Sequence, residues 1–177
     1  MADAITFIER CRRRGFVDKG RGPAPLSRAM NWLVKEEPTH YGFDAFVKDR
    51  KAAWSGVRNA LAQKHLRAVT KGDRVFYYHT GNEKAVVGIA RAVSNPYPED
   101  KSGKYVAVDL VPVERLPRPV TLTEIKADPA FKEFPLVRIS RLSVMPVSDA
   151  EWTRILQLAK SPEVRPAGSN SRVRRSP

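Results

Sequence analysis

The sequence has almost no cysteine, and this scarcity limits the classes of protein to which it can belong. Its single cysteine, Cys11, cannot form an internal disulfide framework, and a zinc cluster built from cysteines is excluded as well. One cysteine is typical of a protein in a reducing compartment, and we expect a cytoplasmic protein.

Long apolar segments are also lacking. No run approaches the roughly 20 apolar residues of a membrane-spanning helix, so the sequence predicts no membrane partner. The N-terminal segment contains RCRRRG without an apolar core, which excludes a typical secretory signal. The hydrophobic fraction of 42% nevertheless predicts a folded domain with a sizeable core.

Local signatures of catalysis are absent. There is no glycine-rich phosphate loop, no nucleophile elbow and no paired carboxylate motif. The histidines, His40, His65 and His79, show no metal-ligand spacing. The sequence therefore predicts no metal and no cofactor. It favours a binding protein over an enzyme, although many catalytic sites have no local signature.

Positive charge is in excess, and it is concentrated near the two ends. The formal net charge is +13. We interpret residues 1–29 and 161–177 as basic disordered tails around a domain at residues 30–160. Basic tails suit nucleic acid through phosphate attraction, and solubilising tails are an equal alternative. Met30 is a candidate initiator, which would make the first tail an overlong start.

Hydrophobic periodicity divides the domain into short strands and helices. Apolar runs predict strands at Asn31–Lys35, Arg74–His79, Ala85–Val93, Tyr105–Leu116 and Arg141–Val147. Helical spacing predicts helices around Phe43–Val47 and at Ala60–Val69, Thr121–Ala127 and Ser148–Lys160. Strands and helices that do not alternate regularly indicate the α+β class, with a small curved sheet or barrel flanked by helices.

The run Tyr105–Leu116 carries two more specific expectations. Alternation directs Val106, Val108, Leu110 and Val113 toward the core. Pro112 has no backbone N–H to donate, so it predicts an edge position or a bulge in this part of the strand.

The candidate functional site centres on Trp54. This large flat ring stands beside Ser55, Gly56, Arg58 and Asn59, which supply a hydroxyl, close backbone approach, a guanidinium and an amide. Such a set suits a pocket for a flat polar heterocycle, of which the nucleobase is the commonest in cells. The alternative is an ordinary core tryptophan with a surface charge at Arg58.

Two further groups are candidates for the same site. Lys35 and Glu36 lie at the end of the first strand, where charges can face a pocket or simply reach water. Tyr78 and His79 end the strand RVFYYH, and a histidine beside tyrosines is more often structural than catalytic.

A collinear set of motifs identifies a family resemblance. The motifs are WLVKEEP, AAWSGVRN, KGDRVFYYHTGNEKAVVGIARAV, YPED, VDL, PVTLTEIKADPAF and RLSVMPVSDAEWTRIL. Together they resemble the EVE domain family of the PUA-like group, which includes the YTH domains, from about Met30 to Ala159. The resemblance implies a PUA-like curved β-barrel of five to six strands flanked by short helices.

The resemblance also implies a pocket for a single flipped, modified base, such as methylated or hydroxymethylated cytosine or methylated adenine. The residues expected to bind this base are Trp54, Ser55, Lys35, Glu36, Gly56, Val57, Arg58, Asn59, Tyr78 and His79. The related pattern commonly has serine at the position of Glu36, which here puts a negative group near the pocket mouth. Trp32 and Trp152 do not match the further cage tryptophans of YTH domains.

The sequence therefore predicts a non-catalytic module that binds DNA or RNA bearing a modified base and acts as a monomer. One alternative is an enzyme acting on a modified base or nucleotide, with His79 or Glu36 as the acid–base. Another alternative is a pocket for a small metabolite.

Overall fold

The computed structural model describes residues 29–161, and both predicted tails lie outside the described residues except for their innermost positions. The strands are β1 (Asn31–Glu36), β2 (Ala52–Trp54), β3 (Arg74–His79), β4 (Ala85–Ala92), β5 (Tyr97–Pro98), β6 (Val106–Thr121) and β7 (Val144–Val147). The helices are α1 (Pro38–Tyr41), α2 (Phe43–Asp49), α3 (Ala60–Leu66), α4 (Leu122–Ala127), α5 (Pro135–Arg138) and α6 (Asp149–Lys160), with a 3-10 turn at Pro129–Phe131.

The strands form a mixed sheet that curls into a half-barrel. Their order is β2-β6-β4-β3-β1-β7, and the short β5 pairs with β6. The interior strands β1 and β3 run parallel, whereas the other pairs within residues 29–161 are antiparallel. The predicted α+β class and curved, PUA-like sheet with flanking short helices are confirmed.

Strand β6 is the longest strand of the described chain, and it pairs with β5, β2 and β4 in turn. Pro112 lies opposite Ala90 and Glu114 lies opposite Ile89, so Val113 is an extra residue with no partner. This β-bulge confirms the prediction made from Pro112. The prediction that Val113 faces the core is wrong, since the bulge turns its side chain to solvent and leaves it 54% exposed.

The two faces of β3 carry the aromatic core. On one face Tyr77 meets Phe43 of α2 at 5.3 Å between ring centroids and Trp54 of β2 at 5.5 Å, both edge-on. On the other face Phe76 stacks on Trp152 of α6 at 3.7 Å. Alternation along the strand therefore divides the core into a layer under α2 and a layer under α6.

Gly88 of β4 allows α2 to approach the sheet. A Cβ atom at this position would lie 2.3 Å from Cζ of Phe43, closer than any van der Waals contact permits. Glycine is therefore required at this position for close packing, since it leaves space for the ring of Phe43.

Short elements account for most differences from the sequence-based expectation. The helical turn α1 and the strand β2 were not predicted, because four and three residues are too few to show a periodicity. The predicted helix Ala60–Val69 ends at Leu66, and the predicted strand Arg141–Val147 begins at Val144. Capping boxes begin α4, with Thr121 and Glu124, and α6, with Ser148 and Glu151.

Among the described helices, none has the length and apolar character needed to cross a membrane.

Candidate functional site

A small cleft of about 290 Å³ lies where β1, α1 and β2 meet. The residues that line it are Glu36, His40, Tyr41, Ala52, Ala53, Trp54 and Ser55. It brings together Glu36, Trp54 and Ser55 from the predicted set, although Glu36 and Trp54 lie on strands that are not neighbours in the sheet.

Trp54 belongs both to the core and to the cleft. As the last residue of β2 it pairs with Val108 of β6, and its ring stands edge-on to Tyr77. It is only 6% exposed, so most of the indole is covered by protein and a limited part borders the cleft. The core interpretation and the pocket interpretation of this residue are therefore compatible, since the same ring can serve both roles. Ser55 follows directly and is exposed.

Glu36 supplies a carboxylate to the cleft. Its Oε1 accepts a hydrogen bond from the backbone N–H of Glu37 at 3.0 Å and lies 3.2 Å from Nδ1 of His40. Its backbone carbonyl accepts from the N–H of Thr80 at 2.8 Å, which fixes the end of β1 against the residue after β3. Within residues 29–161, no hydrogen-bond partner is recorded for Oε2.

Tyr41 forms another side of the cleft and is held from two directions. Its hydroxyl donates to Asp49 at 2.8 Å, and its carbonyl accepts from the hydroxyl of Tyr77 at 2.6 Å. Burial, together with the hydrogen bond to Asp49, raises the pKa of Tyr41 to about 12. The ring is therefore a fixed neutral phenol at physiological pH.

His79 is buried behind the cleft, and both of its ring nitrogens have partners. The backbone N–H of Phe43 donates to Nε2 at 3.0 Å, so Nε2 is unprotonated and Nδ1 carries the proton. Nδ1 donates to the carboxylate of Glu83 at 2.6 Å. This arrangement ties β3 to the start of α2, and His79 does not line the cleft.

Lys35 and Tyr78 lie on the opposite face of the sheet from Trp54. They pair with each other in the parallel register of β1 and β3, and the ammonium of Lys35 lies 5.7 Å from the Tyr78 ring centroid. The ammonium also donates to the carbonyl of Ser140 at 2.9 Å. Burial lowers the pKa of Lys35 and raises the pKa of Tyr78 to about 12. The structure does not bring this pair to the cleft.

The segment after Ser55 leads away from the cleft along the surface. Gly56 has a φ of 73°, and Val57 is buried with its carbonyl bound to Gln63. Arg58 donates twice to the Glu99 carboxylate, at 2.9 Å each. This hydrogen bonding lowers the pKa of Glu99 and raises the pKa of Arg58.

Asn59 begins α3 as its N-cap. Its Oδ1 accepts from the backbone N–H of Ala62 at 3.0 Å. Neither Asn59 nor the three residues before it line the cleft, and the guanidinium of Arg58 instead lies 4.3 Å from the Tyr105 ring centroid.

Comparison with known proteins gives the family of this chain. The family model described as EVE domain matches residues 30–158 of the 177. The chain belongs to the EVE domain family.

Relatives of this EVE domain are found in bacteria and animals. Chicken thymocyte nuclear protein 1 is 32% identical over 164 residues, which cover 72% of this chain and 68% of the relative. An NMR structure of a Rhodopseudomonas palustris protein has 41% identity and a TM-score of 0.72, and the match covers 74% of this chain and 93% of the other.

The human thymocyte nuclear protein 1 has been solved in complex with DNA containing 5-methylcytosine. That structure is 26% identical to this EVE domain, with a TM-score of 0.69, and the match covers 76% of this chain and all of the other.

Sequence reasoning missed four residues that line the cleft of this EVE domain, namely His40, Tyr41, Ala52 and Ala53. His40 and Tyr41 lie on α1, a single helical turn that begins at Pro38. Pro38 was the available signal. Proline is favoured at the first position of a helix, because a backbone N–H at that position would have no partner within the helix.

A larger open groove of about 910 Å³ lies between the turn after β3 and the helices α4 and α6. None of the predicted site residues lines it. Arg154 in this groove donates a hydrogen bond to the carboxylate of Asp128 at 2.6 Å. This hydrogen bond joins α6 to the start of the 3-10 turn. Within residues 29–161, no cluster of three or more His, Cys, Asp or Glu side chains could hold a metal ion.

Proposed function

We propose that this EVE domain is a non-catalytic nucleic-acid-binding module that receives a single flipped, modified base in the cleft at Trp54. The observation that carries the proposal is the meeting of a tryptophan ring, a hydroxyl and a carboxylate around one small cleft. These are the groups that hold an extruded base, by stacking on its face and by hydrogen bonds to its edge.

The size and lining of the cleft suit a base better than a whole nucleotide. Its volume of about 290 Å³ lies at the lower limit of ligand pockets, which span about 300–1,000 Å³. Ala52 and Ala53 add small apolar surface beside Trp54, where a methyl group on the base can pack. A methylated or hydroxymethylated cytosine and a methylated adenine are therefore the ligands we propose.

The human relative supports DNA as the first polymer to test. Its structure contains 5-methylcytosine in DNA. The match covers the whole of that structure and 76% of this chain. RNA remains the second polymer for the same experiment, because a flipped base presents the same edges in both.

The surroundings of His79 support a binding role rather than catalysis by this histidine. Both ring nitrogens are occupied by neighbouring groups, and the ring is buried. A general base must reach the proton that it removes, so His79 is poorly placed for an acid–base step. Mass analysis of a modified oligonucleotide after incubation tests the enzymatic alternative, and turnover that Glu36→Gln abolishes would support it.

The central experiment replaces the flat ring with a smaller aliphatic side chain. We expect Trp54→Leu to weaken binding to an oligonucleotide with one unpaired 5-methylcytosine by one to two orders of magnitude, since stacking contributes about 1–3 kcal/mol per base. Trp54→Phe should retain most of the affinity. Fluorescence anisotropy measures the affinities, and thermal unfolding verifies that each variant is folded. Equal affinity of a folded Trp54→Leu variant would contradict the proposal.

A further inference from the structure

We infer that Glu36 selects for bases with an amino group at the position of cytosine N4 or adenine N6, and rejects bases with a carbonyl at that position, such as thymine. The inference rests on the proposed function, because it concerns the ligand of the same cleft. It names a selective residue and the class of base that this residue accepts.

The position of Glu36 is fixed from several sides. In the parallel register its backbone lies beside His79, and its carbonyl accepts from Thr80. One carboxylate oxygen, Oε1, is held by the N–H of Glu37 at 3.0 Å, with His40 at 3.2 Å. Because these contacts restrict the side chain, Glu36 has little freedom to turn away when a ligand enters.

The other oxygen, Oε2, remains available to a ligand. No partner for it is recorded among residues 29–161, and the side chain is 26% exposed. The contact with His40 is made by Oε1 at 3.2 Å, and the imidazole is itself 80% exposed. A partly buried carboxylate oxygen at the wall of the cleft can accept a hydrogen bond and has no proton to donate.

Acceptor-only chemistry divides the bases into two classes. Cytosine N4 and adenine N6 carry amino groups that donate, and carboxylates are the side chains that accept from cytosine N4. Thymine and uracil have O4 at that position, and guanine has O6, so a carboxylate oxygen that faces this position meets an acceptor and loses the hydrogen bond. Discrimination between the bases comes from the unfavourable contact of carboxylate with carbonyl as much as from the favourable contact of carboxylate with amino group.

A comparison of 5-methylcytosine with thymine isolates this effect. Both bases carry the same methyl group at C5 and differ at the edge that includes position 4, so stacking on Trp54 is nearly the same for both. A serine at this position could donate or accept and would distinguish the two bases less. Glu36 also repels phosphate, so its presence should lower overall affinity while it raises selectivity.

The test uses the full chain and two DNA duplexes that differ only in the target base. The target, 5-methylcytosine or thymine, is placed opposite an abasic site, so that neither base must break a pair before it is extruded. We expect the wild type to bind the 5-methylcytosine duplex more tightly by a factor on the order of ten to a hundred, the range for one hydrogen bond to a charged group.

Glu36→Gln changes the relevant atom with little change in shape. The glutamine carbonyl can take over the bond from the N–H of Glu37, which leaves the amide NH₂ at the place of Oε2. We expect the preference for 5-methylcytosine to fall to about twofold or less, or to reverse toward thymine. The matched control is Glu37→Gln, which removes the same charge from a residue that does not line the cleft and should keep the preference.

The outcomes separate this inference from the proposed function. If the wild type binds both duplexes equally, and Trp54→Leu weakens both, the base pocket stands and the role of Glu36 is rejected. A preference that survives Glu36→Gln, or one that Glu37→Gln also removes, rejects that role too. If Trp54→Leu changes neither affinity, the proposed function itself fails.

Discussion

Asp73 accepts a hydrogen bond from the indole N–H of Trp32 at 2.8 Å, inside the core. The same carboxylate also accepts from the backbone N–H groups of Met30 and Thr70, at 2.9 Å each. One side chain thus satisfies donors from the start of β1 and from the turn before β3. The buried carboxylate of Asp73 therefore links β1 to the turn that precedes its neighbouring strand β3.

Asp73→Asn should therefore destabilise the domain strongly. The amide would place an NH₂ group against one of three donors, and we expect a loss of about 2–4 kcal/mol in the free energy of unfolding. Urea denaturation followed by circular dichroism measures this value. Asp44→Asn is the control, because this carboxylate is 93% exposed, and it should change stability by less than about 1 kcal/mol. Similar values for the two variants would show that this link is energetically unimportant.

Asn59 should prove to be a helix cap rather than a ligand of the base. We expect Asn59→Ala to lower the free energy of unfolding by about 1 kcal/mol, since it removes the acceptor for the N–H of Ala62. Asn59→Ser retains a capping oxygen and should keep both stability and oligonucleotide affinity. If Asn59→Ser is stable but binds more weakly, then the amide contacts the nucleic acid.

His79 should contribute to stability through the backbone of Phe43. Replacement by alanine leaves a buried N–H without its acceptor, and we expect a cost of about 1–3 kcal/mol. Glu83→Gln should cost less, because a glutamine oxygen can still accept from Nδ1 and the side chain is half exposed. Two-dimensional NMR of the ring nitrogens should show the tautomer with the proton on Nδ1.

Gly88→Ala should disturb the approach of α2 to the sheet. The added methyl group would overlap with the ring of Phe43, and overpacking of this kind costs about 1–3 kcal/mol. Adding Phe43→Leu to the same chain removes the obstructing ring, so the two substitutions together should cost less than the sum of their separate effects. Thermal unfolding of the single and double variants measures this coupling. Strict additivity would contradict the assigned contact.

Asp109 should contribute to the loss of stability in acid. The ion pair with Lys51 and the hydrogen bond from Tyr97 hold its pKa below the ordinary value. Because the lowered pKa belongs to the folded state, this stabilisation is complete above the ordinary aspartate pKa of about 3.9 and is lost as the pH falls through the folded value.

Asp109→Asn should therefore be less stable than the wild type near neutral pH, by about 1 kcal/mol, because the Lys51 side chain of this pair is 58% exposed and that of Asp109 is 18% exposed. The difference should shrink as the pH is lowered below about 4. Thermal melts across this range measure it. A difference that is constant with pH would mean that the carboxylate charge is not responsible.

The part of the site that lies at strand ends could be predicted from sequence. Glu36 and Ser55 follow short apolar segments, a position where polar side chains reach the surface, whereas their meeting beside Trp54 was expected only from the family resemblance. Alternation also separates Lys35 from Glu36, since neighbours on a strand face opposite sides. Both residues were predicted to line the pocket because the family resemblance implies base-binding positions at Lys35 and at Glu36.

The rest of the cleft depends on contacts that no local pattern encodes. Tyr41 reaches it because its carbonyl receives the hydroxyl of Tyr77, a residue 36 positions later. Asn59 shows the opposite case, because a residue type that suits base recognition also suits a helix cap. Its place directly before Ala60 was the local signal for the cap.

The pairing of β1 with β7 has a consequence for how the chain is made. Asn31 lies opposite Val147, and its side chain donates to Asp149 across 118 positions of sequence. Domains dominated by contacts between such distant positions fold slowly, on the order of milliseconds to seconds, because much chain entropy is lost before these contacts form. On the ribosome, β1 is synthesised before the other strands of the domain. Its neighbour β7 is synthesised only when nearly all of the domain has been made. The strand that carries Glu36 therefore completes its pairing only after synthesis of the domain has almost finished.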